Sequence, residues 1–362
     1  MQIYKGKIER IIVLFLIFLS SSIFSQNFKE ATFYKKLKDN LVQCFLCPKN
    51  CIIPPGKYGF CRARKNINGT LYSMGYSNPC SVAIDPIEKK PFFHFLPKTE
   101  TFSIASSGCS LRCKFCQNWE ISQYSPEETT NIYLPPEKVV EYAMKYKCPS
   151  IAYTYSEPVN FYEYMIDTAK IAKEKGIKNI VHTAGFINKE PLEKLCKYID
   201  AVNVDLKGFN NEYYRNVCEG ELNVILNTLK ILKENNVWIE ITNLVIPGYN
   251  DKYEEIRNMC LWIKNNLGDY IPLHFSRFHP MYLMRHIPST PVETLEKAVK
   301  IAKEVGLKYV YIGNVAGSNY ENTYCPKCSK LLIRRYGFSV LENNIVNGKC
   351  KFCKEKIEGI WK

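Results

Sequence analysis

Three cysteines, Cys109, Cys113 and Cys116, stand three and then two residues apart in Cys109-Ser110-Leu111-Arg112-Cys113-Lys114-Phe115-Cys116. One tight loop therefore gathers three soft thiolates. Four thiolates would complete the ligand set of a cube of four irons and four sulfurs, whereas three leave one iron without a protein ligand. An open coordination position lets a metal bind and transform a substrate instead of only passing electrons. A zinc knuckle, or three unrelated core thiols, is the plainer alternative for this spacing.

The chain has 362 residues and 16 cysteines. It is too long and too rich in regular structure for a disulfide-stapled scaffold, and its short Cys-x-x-Cys intervals favour metal ligation. Cys44, Cys47, Cys51 and Cys61 suit either tetrahedral zinc or an additional iron–sulfur cluster, and sulfur ligands alone do not decide between them. Near the end, Cys325-Pro326-Lys327-Cys328 and Cys350-Lys351-Phe352-Cys353 are two knuckles of a zinc ribbon, a module whose folding energy would come from its metal. Cys80, Cys148, Cys196, Cys218 and Cys260 are scattered and read as small buried hydrophobes.

These ligands need elements to hold them. Residues 41–100 are rich in turn signals such as Pro54-Pro55-Gly56 and read as a small Cys-rich cap. From 101 to 318 the pattern alternates strand and helix. Strands are predicted at 101–106, 151–155, 179–183, 201–206, 238–245, 273–278 and 309–312. Leu222, Ile225, Leu226, Leu229 and Leu232 mark one helical face, and Ile256, Met259, Ile263 and Leu267 another. A late helix opens at Thr290-Pro291-Val292-Glu293, where Thr can cap, and ends at Gly306. Serial βα units give an α/β fold with a parallel sheet, as an open doubly wound sheet or as a barrel. Residues 319–362 form the ribbon-like module. In barrels, functional residues sit at the carboxyl ends of strands, and the cysteine loop directly follows the first predicted strand. Glu157, Asp205 with Lys207, Asn243 and His279 lie just past other strand ends. Such a ring of carboxylates, amine and imidazole can hold a zwitterionic ligand.

The Cys109–Cys116 loop resembles the CxxxCxφC signature of the radical S-adenosylmethionine enzymes, with Phe115 as φ. A closer resemblance is to the pyruvate formate-lyase activating enzyme branch, and within it to the radical enzyme of the AmmeMemoRadiSam system. It rests on Cys44-Phe45-Leu46-Cys47-Pro48, Asp85-Pro86-Ile87-Glu88-Lys89-Lys90-Pro91-Phe92-Phe93-His94 and Cys116-Gln117-Asn118-Trp119-Glu120-Ile121-Ser122-Gln123. Tyr153-Thr154-Tyr155, Val204-Asp205-Leu206-Lys207-Gly208, Pro247-Gly248-Tyr249-Asn250, His274-Phe275-Ser276-Arg277-Phe278-His279 and Gly359-Ile360-Trp361 also carry it. The resemblance covers about residues 41–362 and implies a partial (βα)6 TIM-type barrel. It implies a 4Fe-4S cluster on Cys109, Cys113 and Cys116, with S-adenosylmethionine chelating the unique iron. It also implies reductive cleavage of that compound to a 5′-deoxyadenosyl radical. By the same resemblance, Glu157 binds the cofactor's amino group, Asp205, Lys207 and His279 are further contacts, and Phe115 packs on the adenine. Tyr155 and Ser156 replace the glycines of the branch's Gly-Gly-Glu strand. An electron donor such as flavodoxin or ferredoxin follows, with a polypeptide substrate or AMMECR-type and Memo-type proteins as partners.

The formal net charge is +14. It concentrates in residues 1–40 and 325–362, leaving the middle nearly balanced, so a nucleic-acid partner is not expected. Lys5, Lys7 and Arg10 precede the apolar run 11–19, and residues 1–26 read as a signal-peptide-like or anchor segment. Oxygen-sensitive clusters favour a cytoplasmic working compartment, while the segment leaves export or anchoring open. Two rivals stand beside the enzyme: a metal-stabilised module that binds protein or nucleic acid, and an electron carrier with all four ligands complete.

Overall fold

A computed structural model describes residues 28–362. The signal-like segment 1–26 lies outside the described residues. Among the described residues no helix is long and apolar enough to cross a membrane.

The centre is an 8-stranded sheet in simple sequential order. Its strands are β1 (Ser81–Pro86), β2 (Glu100–Ala105), β3 (Ser150–Tyr153), β4 (Lys178–Thr183), β5 (Ala201–Asp205), β6 (Trp238–Val245), β7 (Leu273–Arg277) and β8 (Val310–Gly313). β1 pairs antiparallel with β2, and from β2 onward every neighbouring pair runs parallel. Helices α1 (Pro136–Lys145), α2 (Tyr162–Glu174), α3 (Lys189–Leu195), α4 (Leu222–Glu234), α5 (Tyr253–Asn266) and α6 (Val292–Val305) each connect two of the parallel strands. β1 and β8 are the sheet's two ends and are not paired with each other.

Parallel strands covered on both faces read as continuous apolar runs. β3 follows this rule, with all of its residues buried. The helices turn one stripe inward: Leu222, Ile225, Leu229 and Leu232 of α4 are buried, as are Ile256, Met259 and Ile263 of α5. α6 departs from the expected capping. Pro291 occupies the cap position, and Thr290 is fully buried. The Thr290 hydroxyl donates instead to Val245 O (2.6 Å) and accepts from Phe278 N (3.1 Å). It thereby ties the ends of β6 and β7 together.

The cap consists of small antiparallel sheets from 29–30, 34–36, 42–44, 52–53, 64–67 and 70–73. Its last strand pair is followed by β1, so the cap enters the central sheet directly. Arg64 is the cap's buried tie to the sheet layer, lying 2.5 Å from the Glu163 carboxylate of α2. The final module folds as a three-stranded antiparallel sheet (323–324, 331–336, 339–343) and a short hairpin (345–346, 349–350). Its apolar centre, Leu332, Ile333, Cys325, Cys350 and Ile357, is continuous with Phe93, Tyr309 and Tyr311. The chain end then crosses beneath the sheet, where Ile360 N donates to His94 O (2.8 Å) and Leu96 N to Ile360 O (2.7 Å). Gly359 permits that crossing, because a Cβ there would lie 2.7 Å from His94 O.

Candidate functional site

The loop after β2 is fixed on three sides. Cys109 N donates to Cys61 O in the cap (3.0 Å). Arg112 N and Lys114 N donate to Cys218 O (2.9 Å) and Val217 O (3.0 Å) beyond β5, and Lys114 O accepts from Leu283 N (3.0 Å) beyond β7. Gly108 makes the first contact possible: φ is +99°, and a Cβ would lie 2.4 Å from Cys61 O. Cys109 accepts from Leu111 N within the loop (3.4 Å), and Cys116 Sγ lies 3.1 Å from Ser122 Oγ of the helix that follows. Burial pushes the Cys109 thiol well above its ordinary range, and the Glu157, Cys113 and Cys116 charges add to this. A bound cationic centre would reverse that balance and displace the protons.

Glu157 lies just past β3 at the start of a helical turn, Pro158–Phe161, and is 3% exposed. One oxygen accepts from Thr183 Oγ1 (2.5 Å) and Val159 N (3.2 Å), the other from Ala184 N (2.8 Å). Burial still raises its carboxyl above the ordinary range despite these donors. Tyr155, two residues earlier, has φ +65°, in the left-handed region where glycine is free of penalty. A side chain there costs about 1–2 kcal/mol. Compensation comes from a hydrogen bond between its hydroxyl and Asp85, and from Lys90 Nζ, 3.9 Å from the ring centroid.

Asp205 ends β5. His182 Nε2 on β4 is 2.9 Å from one carboxylate oxygen, and Lys207 Nζ donates to the other at 2.9 Å. Burial alone would raise the Asp205 carboxyl, but Lys207 and His182 outweigh it and hold it well below its ordinary range. Lys207 moves in the matching direction: Asp205 holds the ammonium charged against the cost of burial. Its Nζ lies 5.7 Å from the Phe115 ring centroid, and Phe115 is stacked on Tyr213 at 6.4 Å and 21°.

Cys109, Cys113, Cys116, Phe115, Glu157, Asp205 and Lys207 all line one cavity of ≈ 510 Å³. That volume lies in the range of small-molecule and cofactor sites. Three thiols on one wall and a carboxylate–ammonium pair on another fit an iron–sulfur cluster beside a zwitterionic, nucleoside-sized ligand. Gln117, Asn118, His182 and Thr183 complete the neighbouring lining.

His279 is not brought into the cavity. It is exposed on the loop after β7, with Nδ1 3.3 Å from Ser289 Oγ. His274, within β7, faces the cavity instead and bonds Glu240 at 2.8 Å. Asn243 is buried, donating to Leu206 O (2.7 Å), and does not line the cavity. A carboxylate at position 240, inside a strand of buried residues, was the available sequence signal for the His274 pair. Cys218 is a second residue missed by sequence reasoning: it is buried close to Cys113 and helps to push the Cys113 thiol well above its ordinary range.

The tail thiols form the tightest set. Cys325 and Cys353 sulfurs are 3.5 Å apart, those of Cys328 and Cys350 are 3.8 Å apart, and all four lie within 4.8 Å of one another. A tetrahedral zinc with sulfur at about 2.3 Å would set the sulfurs about 3.8 Å apart. In the cap, burial raises the Cys47 thiol, and Cys61, Cys44 and Cys51 add their charges, so the four sulfurs share one neighbourhood. Phe60 N points to Cys51 Sγ (3.4 Å) and Arg64 Nη1 to Cys44 Sγ (3.8 Å).

Known proteins resemble this chain in the same region. The profile of the Radical SAM superfamily matches residues 103–260. An uncharacterized protein of Methanocaldococcus jannaschii is 50% identical over 332 residues, covering 91% of this chain and 99% of that protein. The pyruvate formate-lyase-activating enzyme of Clostridium pasteurianum is 24% identical, over 55% of this chain and 88% of its own length. A solved domain of a pyruvate-formate lyase-activating enzyme from Bacteroides vulgatus is 19% identical with a TM-score of 0.40, covering 45% of this chain and 98% of that one.

Proposed function

Because this chain belongs to the radical S-adenosylmethionine superfamily, and is therefore a radical enzyme using a 4Fe-4S cluster and S-adenosylmethionine, we propose that Cys109, Cys113 and Cys116 hold that cluster. One observation carries the reading: the three thiols, Glu157, Asp205 and Lys207 share a single cavity at the carboxyl ends of the parallel strands. The bound pair supplies one-electron reduction of the sulfonium and a carbon-centred radical that abstracts hydrogen from a substrate. The chain's part is to place and shield it. Glu157 offers a buried acceptor for an ammonium, Lys207 offers a charged donor for a carboxylate, and Asp205 fixes Lys207 in position. Phe115 gives a ring face on which an adenine can stack. His279 enters this reading only through the family resemblance.

Residues from the loop after β2 and from Gly313 of β8 line the same cavity, which supports a sheet curved into a partial barrel. The cap (41–100), barrel (101–318) and tail module (319–362) are read as three functional parts, with zinc on Cys325, Cys328, Cys350 and Cys353. Likeness to activating enzymes supports a polypeptide substrate and a flavodoxin- or ferredoxin-type reductant. The AmmeMemoRadiSam resemblance adds AMMECR-type and Memo-type proteins as partners to test.

Anaerobically purified and reconstituted protein should convert S-adenosylmethionine to 5′-deoxyadenosine and methionine under dithionite. Cys113→Ala should abolish this while circular dichroism stays native. Colourless wild-type protein inert toward S-adenosylmethionine would leave only a metal-stabilised binding module.

A further inference from the structure

Away from the thiols, the same cavity has a floor toward the opposite end of the strands. β1 runs antiparallel to β2, with Ser81 opposite Ala105 and Pro86 opposite Glu100. The segment after β1 therefore emerges where β2 begins, whereas the Cys109–Cys116 loop follows the end of β2. From that segment Glu88, Lys89, Lys90 and Phe93 line the cavity, together with His274 of β7. Tyr155 links the two ends. It follows β3, yet its hydroxyl bonds to Asp85, whose sheet partner is Thr101 near the start of β2.

The carboxylates of this cavity wall are already engaged. One Glu240 oxygen accepts from His94 N (2.8 Å); the other accepts from Phe93 N (3.0 Å) and lies 2.8 Å from His274 Nε2. Glu321 accepts from Gly317 N (3.0 Å) and Gly337 N (3.2 Å). Glu88 accepts from Lys98 N (2.9 Å), and burial raises its carboxyl against the pull of Arg335. Lys89 and Lys90 differ. Each ammonium makes one hydrogen bond, and both go to the same carboxylate, Asp85, at 2.7 Å. Two cations on one carboxylate leave a positive charge in excess, and Asp85 also takes the Tyr155 hydroxyl. Lys90 is 1% exposed, with Nζ 3.9 Å from the Tyr155 ring centroid. An ammonium has three N–H donors, so Lys90 keeps donor capacity that Asp85 does not use. Burial lowers this ammonium from 10.5 to about 8 despite Asp85, and Lys89 adds to the lowering. A further anion beside it would favour the charged form. An ion pair serving the fold alone would need only one of the two lysines.

We propose that Lys90, with Lys89 beside it, anchors a substrate subsite on the cavity floor and takes a carboxylate or phosphate group of the substrate. The rest of the substrate then lies in the cavity that the thiols, Glu157 and Lys207 also line. The subsite rests on this cavity being the radical site, but anion binding is measurable without turnover.

The test is calorimetric titration of anaerobically reconstituted, full-length protein with inorganic phosphate and with acetate. Saturating S-adenosylmethionine is present, so that Lys207 is occupied. Wild type should bind one anion per chain. Lys90→Met/Asp85→Asn removes both charges of the buried pair and should weaken binding at least about tenfold. Lys89→Met, at a half-exposed position, cancels the excess charge and should weaken it about three- to tenfold. Acetate affinity should fall as pH rises through about 8, because Lys90 loses its charge there. Asp85 stays ionised and Tyr155 neutral across that range. Tighter phosphate binding would point to a phosphate ester and tighter acetate binding to a carboxylic acid; either supports the subsite. No binding by wild type, or equal binding by wild type and variants, would overturn it. If the double variant fails to fold, Lys89→Met decides alone. Failure of the cofactor reading has a different signature: S-adenosylmethionine gives no heat of binding, while the variants still lose the anion.

Discussion

Glu157 accepts three hydrogen bonds from protein groups and is still raised by burial. A cation brought beside it would restore full ionisation, and the expected cation is the cofactor's ammonium. Glu157→Gln keeps the shape and removes the charge, so S-adenosylmethionine should bind about 10- to 100-fold more weakly, by calorimetry, with cluster iron retained. Cys218 poses the opposite question, since it lies near enough to Cys113 to shift its thiol and is a further thiol beside the proposed ligand set. The account expects Cys218→Ala to retain cluster and turnover; loss of barrel iron would make Cys218 a ligand. Of the individual residues, the closeness of Glu157, Asp205 and Lys207 to the thiols was legible from strand-end position, the thiols from their spacing, and Phe115 only from the family resemblance. His279 was not, because alternation along β7 fixes where His274 points but does not fix the course of the loop that follows. The glycine-like conformation of Tyr155 had a signal only in the resemblance, which sets it where the branch has glycine; its compensation by Asp85 and Lys90, some seventy residues away in sequence, was hidden.

Strands and helices of the parallel sheet were readable from apolar runs and 3.6-residue periodicity, since each buries a continuous face. The short cap strands and β1 were not, for they sit among turn signals and gain their order from pairing with neighbouring strands. β1 shows this well: Ser81–Pro86 is mostly half-buried, and its partner β2 supplies the order. At this scale the tail is pinned through His94, whose ring nitrogens meet Glu358 O (2.7 Å) and Tyr311 OH (2.6 Å). Burial lowers the His94 imidazole from 6.5 to about 4, against the opposing pull of Glu240. Neutral His94 is thus favoured in the folded state, so its contribution is present above pH 6.5 and is lost as pH falls through about 4. Urea midpoints should drop across that window by the equivalent of roughly 2–3 kcal/mol, and His94→Gln should flatten the drop. A midpoint independent of pH between 7 and 4 would contradict this pinning. Zinc removal should loosen the same element: Cys328→Ser should release about one zinc and lower the melting temperature, read by differential scanning calorimetry.

Over the whole molecule, the cap, the sheet and the tail converge on one cavity. The barrel loop is bonded to the cap at Cys61, to the segment beyond β5 at Val217 and Cys218, and to the loop beyond β7 at Leu283. The tail contributes Gly337 and Phe338, at the turn between strands 331–336 and 339–343, to the lining of the same cavity. A cluster held by Cys109, Cys113 and Cys116 would therefore sit in the cavity that Glu157 and Lys207 also line. Central to the proposal is a cluster iron that would lack a protein ligand and receive S-adenosylmethionine. Electron paramagnetic resonance of the reduced protein, recorded before and after addition of S-adenosylmethionine, tests it most directly. The expected result is a reduced-cluster signal whose g-values shift when S-adenosylmethionine is added; an identical spectrum with and without it would contradict the account.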